Sequence, residues 1–393
     1  MGHSIYDSEI IFNNILRLGL EKSFRRIVLR HIMSILIAVF MSGYKGKTVQ
    51  ISETCKAHRT TIAHFLNDGK WEDAVLEQAL KQHVIRAIYE EAERTGKPVF
   101  CIVDDTIASK TKPSSQALHP IEDAYFHHSH LKKKQDYGHQ AVGIMLSCNG
   151  ITLNYAISMY DKSRSKIQIA CDIADELPPS PTPSFFLCDC WYSCVKVMDA
   201  FLRKGFHTVG ALRTNRLIYP VGIKQQVSQF AQLIRKSDTN VSLVTVDKRQ
   251  YYVYRYEGSL KDLEDAVVLI SYPKGAFGVP RALRAFICTD CSLTTQEILN
   301  LYLERWAIEV FFRQAKQKLA LDKYQIRSSR GIRRFWLLMS LAHFICCTGT
   351  GKPLPLQEGL SAIRTQLYRE RICYIYQCGV SRESLDDLLA LVA

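Results

Sequence analysis

Acidic residues end two apolar, strand-like runs of the sequence, where they could bind a metal ion. The run "PVFCIVDDT" ends with Asp104 and Asp105, and the run "FFLCDCWY" carries Asp189. An acid that ends an apolar strand needs a partner for its charge, the ends of strands are where an α/β sheet places its ligands, and divalent cations prefer carboxylate oxygens. Both runs therefore predict a metal site, although each aspartate alone is also typical of an ordinary strand end or turn.

The segment "YLERWAIEVFFRQAK" supplies a third carboxylate together with cations and a tyrosine. At about 100° per residue, Tyr302, Arg305 and Glu309 lie on one stripe of a single predicted helix. Lys316 lies two turns further on the same side. Two aspartates and this glutamate could hold two Mg²⁺ ions that clamp the attacking and leaving oxygens of a phosphodiester, while the arginine and lysine hold phosphates. The alternative is a surface ion pair between Arg305 and Glu309, which leaves the upstream aspartates unexplained.

The chain is strongly basic and long enough for two or three domains. Its 393 residues are 47% hydrophobic, its formal net charge is +13, and its pI is near 9.1. Such an excess of cations is typical of proteins that bind a polyanion, most often nucleic acid and less often an anionic membrane surface. A basic protein with no such partner is the alternative.

Two apolar segments, His31–Tyr44 and Phe335–Cys347, are shorter than the roughly 20 residues that a membrane span needs. They therefore predict buried helices, and the N-terminal segment "MGHSIYDSEI" lacks the regions of a secretory signal. We expect a cytoplasmic protein with no membrane partner and reduced cysteines, of which there are thirteen. The clusters Cys188–Cys194 and Cys288–Cys291 could bind zinc, but their spacing is more typical of small core residues.

The order of helical and strand-like patterns predicts an α/β fold in several segments. Arg59 lies on the second of two short helices that resemble a helix-turn-helix. Asn149-Gly150 predicts a hairpin, Lys166–Glu176 a helix, and Thr294 or Thr295 the cap of a later helix. The predicted segments are a helical DNA-binding domain (1–95), the first part of the α/β core (96–214), a β-rich insertion (215–291), the rest of the core (292–348) and a C-terminal helical region (349–393).

The spacing of the signature segment resembles that of a known family. Its tyrosine, arginine, glutamate and lysine follow the pattern Y-x2-R-x3-E-x6-K of the DDE insertion-sequence transposases of the IS-four type. "VDDT" is similar to the family's first aspartate block and "CDCWY" to its second. "GALRTNR" and "TTQEILNLYLERWAIEVFFRQAK" also agree in wording and order. The resemblance covers the chain from about Pro98 to Phe344.

The resemblance implies an RNase H-like catalytic core with a β-rich insertion, preceded here by the predicted all-α, helix-turn-helix-like N-terminal domain. It implies that Asp104, Asp189 and Glu309 are the catalytic residues and hold two divalent metal ions, Mg²⁺ with Mn²⁺ able to substitute. In this family a small hydroxyl residue usually lies two positions after the first catalytic aspartate. Thr106 therefore favours Asp104 over Asp105 as the first ligand.

The resemblance also implies DNA contacts and an assembly. Tyr302, Arg305 and Lys316 would contact phosphates near the transposon end. The partners would be the end repeats and the target DNA, held by a homodimer. Two alternatives stay open: a nuclease or domesticated relative that cuts without joining, and a non-catalytic DNA-binding protein, which the intact carboxylates disfavour.

Two basic segments outside the signature are predicted to contact the DNA backbone. "HHSHLKKKQDYGHQ" follows the first aspartates, and "KYQIRSSRGIRRF" follows the signature segment. A histidine metal site in the first segment and a solvated cationic surface in the second are the alternatives. The predicted contacts are Lys132, Lys133, Lys134, Arg327, Arg330, Arg333 and Arg334.

Overall fold

A computed structural model describes residues 8–41, 43–55, 57–129, 133–261, 263–381 and 384–386. In these residues the helices are α1 (Glu9–Arg17), α2 (Arg26–Phe40), α3 (Thr48–Thr54), α4 (Arg59–Asn67), α5 (Asp73–Thr95), α6 (Lys166–Glu176), α7 (Val195–Leu202), α8 (Val227–Phe230), α9 (Thr295–Leu303), α10 (Trp306–Lys318), α11 (Ser329–Thr348) and α12 (Leu356–Val380). The strands are β1 (Val99–Ser109), β2 (Tyr125–Ser129), β3 (Lys134–Cys148), β4 (Ile151–Tyr160), β5 (Ser184–Cys188), β6 (Phe206–Leu212), β7 (Leu217–Ile218), β8 (Gln225–Gln226), β9 (Val241–Val246), β10 (Arg249–Leu260), β11 (Leu263–Pro273) and β12 (Arg284–Cys288).

The described strands form one mixed sheet. At its centre β1 is parallel to β5, and β5 is parallel to β6. On one side β3 pairs antiparallel with β1, and both β2 and β4 pair with β3. On the other side β12, β11 and β10 follow β6 in antiparallel order. This mixed α/β sheet is consistent with the predicted RNase H-like core.

Strand β1 is longer than its sequence predicts. The apolar run predicts an end at Asp104 and Asp105, but β1 continues to Ser109 because its second half still pairs with β3. The parallel neighbour β5 stops at Cys188, opposite Val103. The prediction of a strand end is therefore wrong for the first two aspartates. Asp104 and Asp105 lie after the last residue of β1 that pairs with β5, in the part of β1 that still pairs with β3.

Several local signals are confirmed. Helix α6 covers the predicted residues and begins after Ser165, whose side chain caps it. Asn149 and Gly150 join β3 to β4 with φ angles of 49° and 80°, the left-handed angles that a two-residue hairpin turn requires. Thr294 caps α9 in a reciprocal capping box with Glu297.

The predicted single helix of the signature segment is two helices. Glu304 and Arg305 separate α9 from α10, and their backbone N–H groups bond to carbonyl oxygens three residues back, at 3.1 and 3.2 Å. This tight turn interrupts the regular helical bonding. Tyr302 therefore belongs to the last turn of one helix, whereas Glu309 belongs to the first turn of the next.

The β-rich insertion extends the central sheet. Strand β12 pairs with β6 of the core on one edge and with β11 of the insertion on the other. Side chains of the insertion also form a second, smaller hydrophobic core that includes Ile218, Tyr256, Leu260 and Tyr272. The insertion thus belongs to the same sheet as the core and also has a hydrophobic core of its own. Its predicted boundaries, residues 215–291, stay a prediction.

Helix α11 joins the N-terminal helices to the sheet. It contacts α2, α4, α5, α12 and β4, and it buries Trp336, Leu338 and Phe344. Ile51 of α3 and Ile62 of α4 belong to the same hydrophobic core. The pair α3–α4 occupies the place of the predicted helix-turn-helix, and a separate N-terminal domain stays a prediction. None of the helices described is long and apolar enough to cross a membrane.

Candidate active site

Asp104 and Asp189 lie side by side where the parallel pairing of β1 and β5 ends. Each directly follows one member of a matched pair, Val103 opposite Cys188. Burial, and then the nearby charge of Asp189, raise the pKa of Asp104 to about 7. The Asp189 Oδ1 atom accepts a hydrogen bond of 2.8 Å from the backbone N–H of Trp191. Because the charge of Asp189 opposes the ionisation of Asp104, a cation at this position would stabilise the ionised form of Asp104.

Asp105 has a different role from its neighbour, since successive side chains of a strand point to opposite faces. Its carboxylate accepts hydrogen bonds of 2.7 Å from both Lys166 Nζ and Gln140 Nε2. The Tyr192 hydroxyl donates a third at 3.3 Å. Asp105 is thus engaged in a partly buried network, whereas Asp104 faces the signature helices. This arrangement favours Asp104 as the first ligand.

Arg305 connects the first aspartate to the glutamate. Its Nη1 donates to Asp104 Oδ2 at 3.1 Å, and its Nη2 donates to Glu309 Oε1. Its guanidinium carbon lies 5.7 Å from the centroid of the Tyr302 ring, and its Nε is buried without a hydrogen-bond partner in the described part of the chain. Arg305, which directly precedes α10, therefore bonds to both carboxylates at once.

Lys316 lies further along α10 and reaches β1. Its Nζ donates to Thr106 Oγ1 at 2.7 Å and to the Ile107 carbonyl oxygen at 2.9 Å. Thr106 lies two positions after Asp104 on the same strand, so its side chain points to the same face. The lysine, the threonine and the aspartate thus line one side of the sheet beneath α10.

The donor set fits a divalent cation chemically, but the donors do not converge here. In the described residues no three His, Cys, Asp or Glu side chains are close enough together to hold a metal ion. Arg305 neutralises Asp104 and Glu309, whose side chains are 21% and 36% exposed. Asp104 and Asp189 remain as neighbouring carboxylates that repel each other. The charge of a metal ion would relieve this repulsion.

Gly143 seats α10 on the sheet, and the sequence analysis missed it. It lies opposite Asp104 in the pairing of β1 with β3. A Cβ atom at Gly143 would lie 2.5 Å from the ring of Phe312, which is one turn after Glu309. Since the bare glycine backbone admits this ring, it sets the height of the glutamate above Asp104. The single sequence signal is a glycine within an otherwise apolar strand.

The turn after β5 presents a tryptophan that the sequence analysis also missed. Ser193 Oγ donates to the Asp189 carbonyl oxygen at 3.0 Å and so holds the turn. Trp191 is 46% exposed, and its ring lies 4.6 Å from Lys166 Nζ and 5.2 Å from the Arg213 guanidinium carbon. An aromatic residue two positions after the second aspartate was the signal that could have indicated it.

Most of the predicted DNA-contacting cations are on the surface. Arg59 is exposed in the first turn of α4, Lys133 and Lys134 are exposed beside β3, and Arg327 and Arg330 are exposed near the start of α11. Lys132 lies outside the described residues.

Two of the exposed arginines also hold neighbouring loops. Arg327 donates to the His119 carbonyl oxygen. Arg333, also exposed, pairs with Asp161 at 2.7 Å and with Asp123 at 3.3 Å. These contacts leave part of each side chain accessible.

Arg334 is not a surface residue, so its predicted DNA contact is wrong. Its side chain is fully buried. It donates to the carbonyl oxygens of Gly69 and Trp71 at 2.9 and 2.7 Å, and its guanidinium carbon lies 4.4 Å from the centroid of the Trp71 ring. Asp73 lies 3.4 Å from its Nε. The residue anchors the loop between α4 and α5 to α11.

Paired strand-adjacent aspartates, a glutamate on a neighbouring helix and nearby cations give this α/β protein the chemical groups that could bind divalent cations and phosphate. A family model described as "Transposase DDE domain" matches residues 95–345, and the chain belongs to this family. The resemblance to DDE transposases is thereby confirmed. Membership implies a DNA-binding protein that uses divalent metal ions. No curated protein matches the chain.

Proposed function

We propose that the protein is a DNA transposase of the IS-four type that cleaves transposon ends and joins the freed 3′-hydroxyl to target DNA. It would use two-metal phosphodiester hydrolysis followed by transesterification. The observation that supports this proposal is that Asp104 and Asp189 follow the end of the parallel pairing of β1 and β5, with Arg305 bonded to both Asp104 and Glu309. Its partners would be the end repeats and target DNA, and it would act as a homodimer.

The three carboxylates would hold the divalent cations, Mg²⁺ with Mn²⁺ able to substitute. When bound, such ions lower the pKa of water and stabilise the attacking and leaving oxygens of a phosphodiester. Asp104 would offer its oxygens from β1, and Asp189 from the first position after β5. Glu309 would join them after exchanging its bond to Arg305.

The cations of the signature would then bind and orient the DNA. Arg305, released from the carboxylates, carries a planar guanidinium that matches a phosphate in two hydrogen bonds. Burial raises the pKa of Tyr302 to about 12, so its hydroxyl stays protonated and can donate. Lys316 would donate to a phosphate oxygen from the same side of the sheet.

The two reactions balance without a nucleotide cofactor. In the first, a water oxygen bonds to phosphorus, and the 3′-oxygen leaves and takes up a proton. In the second, this 3′-hydroxyl oxygen bonds to a phosphorus of the target, and the target's own 3′-oxygen leaves as a hydroxyl. One phosphodiester bond forms for each one broken in the second step, so no outside energy source is required.

The exposed cations support a DNA path outside the carboxylate site. Arg59, Lys133, Lys134, Arg327 and Arg330 would contact phosphates of the backbone, which gives affinity that falls as salt rises. They add length to the interface without reading sequence. These phosphate contacts position the DNA, and recognition of the end-repeat sequence would require other residues that contact the bases.

A labelled DNA fragment that carries the gene's flanking repeats tests the proposal, with Mg²⁺ and a target plasmid. We expect cleavage at the repeat and strand transfer. Asp104→Asn, Asp189→Asn and Glu309→Gln should each lower cleavage by about 10³-fold or more, with DNA binding retained in a fluorescence anisotropy assay. The matched control is Glu304→Gln, an exposed carboxylate in the turn before α10, which should cleave normally.

Other outcomes would overturn parts of the proposal. Cleavage without joining would indicate a nuclease or a domesticated relative. Binding without any cleavage would indicate a non-catalytic DNA-binding protein. Normal cleavage by Glu309→Gln would remove this residue from the proposed site.

A further inference from the structure

Arg213 directly follows β6, on the edge of the sheet that also carries the two aspartates. β6 is parallel to β5, which Asp189 follows, and β5 is parallel to β1, in which Asp104 follows the last residue paired with β5. Ligands bind at this edge of an α/β sheet. The proposed function uses both aspartates but gives no role to Arg213, which is exposed. This arginine therefore extends the site beyond the residues used so far.

Trp191 lies close to this arginine and to the network of Asp105. Its ring centroid is 5.2 Å from the Arg213 guanidinium carbon and 4.6 Å from Lys166 Nζ, and Lys166 bonds to Asp105 at 2.7 Å. The backbone N–H of Trp191 donates to Asp189 Oδ1 at 2.8 Å. The tryptophan is therefore fixed beside the second aspartate, with its ring next to the cations on the Asp105 side.

The cations of the signature lie on the opposite side. Asp104 and Asp105 are successive residues of β1, so their side chains point to opposite faces of the sheet. Arg305 bonds to Asp104 at 3.1 Å, and Lys316 bonds at 2.7 Å to Thr106, which shares the face of Asp104. The proposed function gives these signature cations to the transposon end. The aspartates thus have cations on two sides, and one of these sides has a proposed DNA partner.

The joining reaction brings two DNA molecules to the carboxylates at the same time. Because the displacement is in line, the attacking oxygen of the end and the leaving oxygen of the target lie on opposite sides of the phosphorus. We propose that the target strand lies on the Asp105 side, where Trp191 stacks on a nucleobase next to the attacked phosphate and Arg213 binds a phosphate of the same strand. This inference rests on the proposed function, because the joining reaction supplies the second DNA.

The chemistry of both side chains suits a target of varied sequence. The Trp191 side chain is 46% exposed, and every base has a π face, so stacking on an aromatic ring requires no particular sequence. A duplex that kinks at one step unstacks its bases and gives a side chain access to them. Arg213 can bind a phosphate in two hydrogen bonds, which also carry no sequence information. Such a site binds DNA without reading an end repeat.

A branched DNA that mimics the joined product tests the site without catalysis. One arm carries the flanking end repeat and the other a target sequence, with the fluorescent base analogue 2-aminopurine beside the junction in either arm, and metal is left out. Stacking on tryptophan quenches this base, so we expect quenching in the target arm that Trp191→Ala abolishes. Trp191→Ala should also weaken binding about 10-fold, and Trp191→Phe should recover most of this affinity.

The salt dependence of binding tests the arginine. Arg213→Gln should reduce the dependence of log affinity on log salt by about one unit, whereas Trp191→Ala removes no charge and should keep the wild-type slope. The matched control is Arg203→Gln, an exposed arginine at the amino end of β6, which should keep both affinity and slope. If the two cations merely hold Trp191 in place, its alanine variant should lower the melting temperature and leave DNA affinity unchanged, which would overturn the inference.

The joining assay gives an independent measurement. At a limiting concentration of target, Trp191→Ala should slow strand transfer at least 10-fold more than it slows cleavage of the end. Excess target should restore the rate, because the variant impairs binding of the target. Quenching that depends on Trp191 but occurs in the end arm would overturn the assignment to the target.

The inference and the proposed function fail separately. A wild-type protein that quenches the target arm but never joins DNA counts against the proposed function alone. A wild-type protein that joins DNA no faster than Trp191→Ala, with equal fluorescence in both, counts against this inference alone.

Discussion

Arg305 and Arg334 are both held inside the protein, yet their surroundings differ in kind. Arg334 donates mainly to backbone carbonyl oxygens, lies against the Trp71 ring and is fully buried. Arg305 donates to two side-chain carboxylates, is 14% exposed, and has an Nε with no hydrogen-bond partner among the residues that the structure describes. The hydrogen bonds of Arg334 join it to the backbone of the protein. Those of Arg305 join it to carboxylates that could instead bind a metal ion.

The difference distinguishes a structural cation from an exchangeable one. The buried carbonyl oxygens that accept from Arg334 would lose their donor if this side chain moved away. We therefore expect these hydrogen bonds to persist in the folded protein. Asp104 and Glu309 would be satisfied equally well by a divalent cation, and Arg305 by a phosphate. A site that must admit metal and DNA has to be stabilised by contacts that can be exchanged.

The largest expected effect on folding is at Arg334. Arg334→Met should lower the free energy of unfolding by about 3–5 kcal/mol, because it leaves several buried backbone carbonyl oxygens without a donor. It also removes the partner of Asp73, whose side chain is 37% exposed. Arg305→Met should cost much less in urea unfolding, since its partners are partly exposed and Mg²⁺ can replace its charge. Mg²⁺ should therefore raise the melting temperature of Arg305→Met more than that of the wild type.

The opposite order would contradict the contrast. If Arg305→Met unfolds more readily than Arg334→Met, the carboxylate site is held as rigidly as the loop between α4 and α5. Arg333→Met is the control on the same helix as Arg334. Arg333 itself is 45% exposed and makes its ion pairs at the surface, so this variant should stay within about 1 kcal/mol of the wild type.

A second prediction concerns the seat of α10. Gly143→Ala should lower the rate of cleavage by about 10- to 100-fold, because the new methyl group displaces Phe312 and with it Glu309. DNA affinity, measured by anisotropy, should stay unchanged. Phe312→Leu in the same chain should restore part of the rate by making room for the methyl group. A double variant no faster than Gly143→Ala would show that the glycine does not act through this ring.

Local sequence patterns predicted the parts of the site that local physics decides. The hairpin turn at Asn149-Gly150, the extent of α6 and the position of Asp189 after β5 all depend on residues near one another in the chain. The length of β1 was missed because it depends on β3, which is distant in sequence. The break between α9 and α10 was missed since neither Gly nor Pro marks it.

The sequence contained a pattern indicating that Arg334 is buried, but the basic residues around it favoured a surface position. Arg334 precedes Leu338 by four residues and Leu341 by seven, the spacing of one helix face, and both leucines are buried. The adjacent Arg333 and the general excess of cations favoured a surface interpretation. Charge composition describes the whole chain, whereas burial depends on which face of α11 meets α4 and α5. That contact cannot be derived from the basic segment itself.

A third prediction concerns pH and follows from the raised pKa of Asp104, about 7. An aspartate of the unfolded chain titrates near 3.9, so between about pH 4 and pH 7 the folded protein keeps a proton that the unfolded chain has lost. The free energy of unfolding should therefore fall as pH rises through this range and level off above it. Asp104→Asn should remove this part of the decline when the free energy of unfolding is measured by urea with a chelator present. If the free energy of unfolding falls equally with pH in the wild type and in Asp104→Asn, the prediction is contradicted.

The smallest expected effect is on DNA binding, and it should differ between Arg330 and Arg334 of α11. Arg330 is exposed and Arg334 is buried, so Arg330→Gln should weaken DNA binding severalfold and reduce the dependence of log affinity on log salt by about one unit. Folded Arg334→Met, measured below its melting temperature, should keep the wild-type slope because no phosphate contact is lost. Anisotropy titrations over a range of salt concentrations measure both slopes. An unchanged slope for Arg330→Gln would place the DNA path away from the start of α11, and a reduced slope for Arg334→Met would mean that the buried network opens when DNA binds.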